Sequence, residues 1–137
     1  MNNTYYIEIT DISSDEIIYV SYLDGNGKYL EKEDNPGFKI LSLVTDIDNG
    51  TFCSDAESFK YLLKDLLIIL EEAKKDDDIR MVNHIKEIIV LTNLCLWNSS
   101  GVFKKVSFAL AIVHSYYGGW HQKKVYKRIY DFSCIDS

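Results

Sequence analysis

The chain has 137 residues, 47% of them hydrophobic, and a formal net charge of −6. That length suits one domain with one buried core, and that apolar content excludes disorder. No apolar run approaches the roughly 20 residues a membrane-spanning helix needs, and the start Met1-Asn2-Asn3-Thr4 has neither a basic nor an apolar leader, so a soluble, cytoplasmic protein is expected.

In chain order, residues 5–10 and 17–23 are short, β-branched and aromatic, with Ile17, Tyr19, Ser21 and Leu23 on one face of the second run, and both read as strands. Ser13-Ser14-Asp15 makes the first turn. Asp24-Gly25-Asn26-Gly27 makes the second, because Asp-Gly and Asn-Gly supply the left-handed positions that hairpin turns need. Residues 28–32 can pair after that turn. The only proline breaks the pattern at Asn35-Pro36-Gly37, and a strand over 38–45 follows through Phe38, Ile40, Leu41, Leu43 and Val44. The simplest arrangement is an antiparallel meander of three or four strands.

Residues 54–97 read as two helices folded back on each other. Ser54 with Glu57 three residues later forms a capping box that starts the first helix. Phe59, Leu62, Leu63, Leu66, Leu70 and Ala73 make its apolar stripe, which the run 66–70 widens nearly all the way round, so neighbours are expected on more than one side. Lys74 and Lys75 suit its C-terminal end and Asp76, Asp77 and Asp78 the start of the next helix, which marks a tight reversal. The second helix turns Met81, Val82, Ile85, Ile88, Ile89, Cys95 and Leu96 inward, and 98–101 end it.

Beyond Gly101 two periods compete. Val106, Phe108, Leu110 and Ile112 alternate as a strand would, whereas Phe103, Val106, Leu110, Val113 and Tyr117 fit a helical stripe; Ala109, Ala111 and the following Gly118 favour the helix. The tail over 120–132 is open in the same way, helix through Val125, Ile129 and Phe132 or strand through Tyr126, Arg128, Tyr130 and Phe132, with helix preferred. The expected fold is therefore α+β: an N-terminal antiparallel meander packed on a helical hairpin plus one or two further helices. One domain spans 1–137, with 1–50 mainly β and 54–132 mainly α.

No motif carries chemistry. Asp46-Ile47-Asp48-Asn49-Gly50 with Glu57 fails as a calcium loop, because glycine falls fifth where an oxygen ligand is needed. His84, His114 and His121 lack i,i+4 spacing and a cysteine pair beside them, so no metal is expected. Cys53, Cys95 and Cys134 are odd in number and widely spaced, which fits reduced, buried thiols. There is no glycine-flanked serine elbow and no phosphate loop at Gly118-Gly119. No cofactor and no enzymatic activity are expected.

Charge is uneven. Residues 102–137 carry a local +4, so the first 101 residues sit at −10. The acidic body suits a basic protein partner and disfavours nucleic acid and membrane surfaces. Tyr22, Asp24, Tyr29, Glu31, Glu33, Asp34, Asp46 and Asp48 form its candidate surface, where tyrosines give contact area and carboxylates steer; a solvated sheet edge is the plainer account of the same residues. The alternative is the basic aromatic cluster with Tyr117, Trp120, His121, Lys124, Lys127 and Arg128, which could stack and neutralise a nucleotide-like ligand, anchor an interface, or cap the bundle's open end.

Small, acidic, tyrosine-rich and without a catalytic signature, the chain resembles in general character the immunity proteins with which bacteria neutralise their own secreted toxins, or phage-encoded inhibitors of host defence. That resemblance is one of class, carried by no motif. It implies a cytoplasmic inhibitor that binds one protein, often a basic nuclease, and blocks its active or substrate-binding surface.

Overall fold

The structure is a computed structural model and describes residues 2–45, 51–99 and 108–114. Strands β1 (Tyr5–Asp11), β2 (Glu16–Tyr22), β3 (Thr51–Cys53) and β4 (Phe108–His114) form one antiparallel sheet in the order β2-β1-β4-β3. A one-turn helix α1 (Gly27–Leu30) and a 3-10 turn at Leu41–Leu43 lie between β2 and β3; helices α2 (Ala56–Lys75) and α3 (Ile79–Ser99) separate β3 from β4. The α+β class and the four-stranded antiparallel sheet are as the sequence pattern indicates. The order is not a meander, because the last strand in sequence lies between β1 and β3.

Over 108–114 that strand overturns the expected helix; the rest of the stretch 103–117 and the tail over 120–132 lie outside the described residues. Phe108, Leu110 and Ile112 join the core beneath the helices, while Ala111 and Val113 pack on the opposite face with Tyr6, Ile17 and Phe52. Ala109 to Val113 are all 0% exposed, so both alternating sets are buried and the period of two wins. Alanine's preference for helix is a few tenths of a kcal/mol over most residues. Hydrogen bonding to β1 on one side and β3 on the other outweighs it.

Two stretches expected as strands are not strands. Residues 28–32 turn into α1, where the Gly27 N–H donates to the Asn3 carbonyl at 2.8 Å and a Cβ on Gly27 would meet that oxygen at 2.7 Å. Residues 38–45 bury Phe38, Leu41 and Val44 at every third position, around the 3-10 turn. Their ladder donors are spent elsewhere: the buried Asp65 carboxylate accepts the N–H groups of Lys39, Ile40 and Leu41 at 3.3, 2.8 and 3.0 Å. A Lys32–Glu72 ion pair at 2.7 Å fastens the same loop to α2.

The helical hairpin forms as expected, with a different start. Asp55, not Ser54, caps α2: its carboxylate accepts from the Ser58 N–H at 2.8 Å, and the Ser58 hydroxyl takes the Asp55 N–H at 3.3 Å. A carboxylate at that position also complements the helix dipole, which favours it over the serine one residue earlier. At the reversal Asp77 adopts a left-handed φ of 54°, and the Asp78 N–H donates to the Ala73 carbonyl at 3.1 Å. Phe59, Leu62, Leu66, Leu70 and Ala73 face inward together with Ile69 and Asp65, whereas Leu67 and Ile68 are exposed, so one flank of α2 is open. On α3, Met81, Ile85, Ile88 and Cys95 are buried, joined by His84 and Thr92.

Because Leu66 and Ile85 are fully buried in the hairpin core, alanine at either should cost about 2–5 kcal/mol in a denaturant titration. Asp55→Ala should cost about 1 kcal/mol. Ser54→Ala should change stability by less than about 0.5 kcal/mol, and a larger loss there than at Asp55 would return the cap to Ser54.

Candidate protein-binding surface

Among the described residues, β2 has one strand neighbour, β1. Its register with β1 shifts between Ile9 and Thr10, placing a bulge at Ile18 and leaving Tyr19 to Tyr22 in regular register with Ile9 to Tyr6. One side of β2 is tied down, since Tyr19 and Ser21 both donate from their hydroxyls to Glu87 of α3, the tyrosine at 2.8 Å. These bonds, the serine's first, hold the Glu87 carboxyl below its usual range. Val20 and Tyr22 pair with Glu8 and Tyr6 on the other face, where the Tyr6 and Tyr22 rings sit 4.9 Å apart. Ile18, Tyr19, Val20 and Tyr22 are 43–56% exposed, an apolar run on the rim of the sheet.

The loop after β2 is held by one side chain. Asn26 is fully buried; its Oδ1 accepts the Tyr5 N–H at 2.7 Å, and its Nδ2 donates to the Tyr5 carbonyl at 2.9 Å. The same Nδ2 lies 3.1 Å from His84 Nε2. As Nδ2 can only donate, the imidazole nitrogen must accept, which requires a neutral ring. Burial favours that form too, lowering the His84 pKa. The Gly25 N–H, at a φ of 75°, donates to Thr4 Oγ1 at 2.8 Å, so Asp24 projects from a fixed turn.

The expected surface residues divide. Tyr22, Asp24, Glu33 and Asp34 are exposed, and none of the three carboxylates has an ion-pair partner among the described residues. Asn3 bonds both Gly27 and Glu31, tying the turn after β2 to the segment that follows α1. Tyr29 and Glu31 are structural. Tyr29 is 3% exposed with its hydroxyl donating to Asp76 at 2.6 Å, and burial and that carboxylate push its pKa up to about 12. Glu31 accepts from Asn3 Nδ2 at 2.6 Å and from the Tyr5 hydroxyl, which burial and Glu31 raise far above the ordinary tyrosine value. Asp46 and Asp48 lie outside the described residues, as do Tyr117, Trp120, His121, Lys124, Lys127 and Arg128.

Ile18, Tyr19 and Val20 escaped the sequence reading. A strand apolar on both faces reads as central, and only its acidic flanks, Asp15-Glu16 and Asp24, mark it as an edge. Elsewhere, Cys53 and Cys95 are buried thiols pushed up to about 12 by desolvation, unsuited to act as nucleophiles near neutral pH. No group of three or more metal-ligating side chains occurs among the described residues. A shallow cleft of about 280 Å³, lined by Lys28, Tyr29, Glu72, Lys75 and Asp76, mixes both charges and points to no single ligand. Comparison with protein-family models, with curated proteins and with solved structures finds no significant match.

Beneath β2's neighbour lies a second unusual carboxyl. Glu8 is 3% exposed, its Oε1 has no hydrogen-bond partner among the described residues, and burial pushes its pKa up to about 7. The folded pKa lies above the unfolded value, so the stability held in the protonated form is complete below about 4.5 and is lost as pH rises towards 7. Glu8→Gln should match wild type near pH 4.5 and exceed its stability by roughly 3 kcal/mol at pH 8. Equal differences at both pH values, measured by denaturation, would place the Glu8 carboxyl in water.

Proposed function

We propose that this chain is a small acidic protein-binding inhibitor of the immunity type, which attaches to one basic partner and covers its active or substrate-binding surface. The partner is a toxin such as a nuclease or, for a phage-encoded inhibitor, a defence effector; either presents the cationic surface required. The observations that carry the reading are the exposed Ile18, Tyr19, Val20 and Tyr22 with Asp24 just beyond them, and the exposed Glu33 and Asp34; none of these three carboxylates has a counter-charge among the described residues. Apolar and tyrosine side chains supply contact energy, while uncompensated carboxylates raise the encounter rate with a cation-rich surface.

The test is a triple reversal, Asp24→Lys, Glu33→Lys and Asp34→Lys, on protein used to capture partners from its native cells, followed by kinetics with the recovered partner at two salt concentrations. Association should slow about tenfold or more at low salt and lose most of its salt dependence. The melting temperature should hold, because all three side chains are exposed. An unchanged association rate would sink the acidic surface. Glu31 is left intact because it anchors Tyr5.

A further inference from the structure

A sheet's outer strand presents a row of N–H and C=O groups to any extended chain that arrives, and proteins blunt such edges with brevity, lysine, proline or bulges. The two outer strands here are treated differently. β3 is only three residues long, with Thr51 and Cys53 buried. β2 is seven residues long, contains no lysine, arginine or proline, and has one bulge, at Ile18, that leaves Tyr19 to Tyr22 regular. Tyr19, Val20 and Tyr22 are also among the most exposed apolar side chains of the described sheet.

Resting on the reading of the chain as a binder of basic proteins, we propose that the edge of β2, unpaired among the described residues, receives an extended, basic segment of the partner as a fifth strand. Ladder hydrogen bonds to the outward groups of Tyr19 to Tyr22 provide the attachment, and alternate apolar side chains of the incoming strand pack beside Val20 and Tyr22 on one face and Tyr19 on the other. Exposed carboxylates stand at both ends, Glu16 at the start of β2 and Asp24 just beyond it. Asp24 lies eight positions after Glu16, at most about 26 Å at about 3.3 Å per residue. The matching segment is therefore an alternating apolar stretch with a cation near each end.

A second copy of the chain does not fit. Antiparallel pairing of two β2 edges brings Glu16 of one towards Asp24 of the other, and parallel pairing sets Glu16 against itself, between two molecules each carrying −6. Like charges facing each other across a ladder are destabilising.

The probe is a capped synthetic peptide of alternating valine and threonine with two lysines at each end, titrated against the full chain. Two further peptides carry N-methyl groups on alternate residues, one peptide for each register, which removes ladder donors and leaves every charge in place. The parent peptide should bind and slow hydrogen exchange at amides between Tyr19 and Tyr22, and N-methylation in one register should weaken binding about tenfold or more while the other register is tolerated. Equal binding by all three peptides, protection outside β2, or no binding by the parent would each overturn strand addition. Equal binding that still weakens with Asp24→Lys would leave the acidic surface standing and remove only the fifth strand.

Discussion

One asparagine side chain holds three separate parts of this protein in register. Asn26 does for Tyr5 what a neighbouring strand would do, taking its N–H and giving back a donor to its carbonyl, at a point where β1 has begun and β2 has already ended. Its remaining amide hydrogen reaches His84 of α3. A buried donor or acceptor left unpaired costs about 1–3 kcal/mol, and this side chain satisfies three such groups at once. The turn that presents Asp24, the start of the central strand and the second long helix are thus fixed relative to one another by a single fully buried residue. Leucine or valine at that position would supply packing but leave the Tyr5 backbone unpaired in the core.

Much of the architecture is legible in the sequence because it follows from strong local periodicity. The hairpin of α2 and α3, the first two strands and the inward faces of both helices come from apolar spacing and charge reversal alone. Two of the failures share a cause, which is a polar side chain replacing a backbone partner. Residues 38–45 have a strand's composition, yet Asp65, one buried carboxylate on the inner face of α2, captures three of their N–H groups and turns them into a 3-10 turn. Residues 28–32 do not run back along β2, because Asn26 ties the turn to the Tyr5 backbone and α1 follows directly. Neither capture leaves a mark on hydrophobic pattern. The strand at Phe108–His114 fails differently, through a tie between two periods that only its two neighbours in the sheet decide.

The candidate surface was half legible for a related reason. Carboxylates look alike in sequence whether they are solvated or committed, and Glu31 is committed to Tyr5 and Asn3 while Glu33 and Asp34, two and three residues on, are free among the described residues. Tyr29 and Tyr22 differ likewise: one hydroxyl is sequestered against Asp76, the other ring is open. Two buried titratable groups, Glu8 and His84, are both held towards their neutral forms, and their effects on stability oppose one another. Acid costs the fold through the imidazole; alkali costs it through the carboxyl. The two contributions partly cancel across the range between their ordinary titrations.

The place of β4 in the sheet has a consequence for how the molecule comes into being. β1 and β3 never touch as strands; each is paired with β4, which is synthesised after both long helices. While the chain grows on the ribosome, the β1–β2 hairpin and the helical pair can form as local units, but β3 has no strand partner and β1 keeps one open side until residue 108 and its successors emerge. Closure of the sheet then joins segments more than fifty residues apart, the kind of late, non-local step that slows folding and leaves apolar edges uncovered in the interval. Shortening the chain before His114 would remove no peripheral piece but the strand that unites the other three.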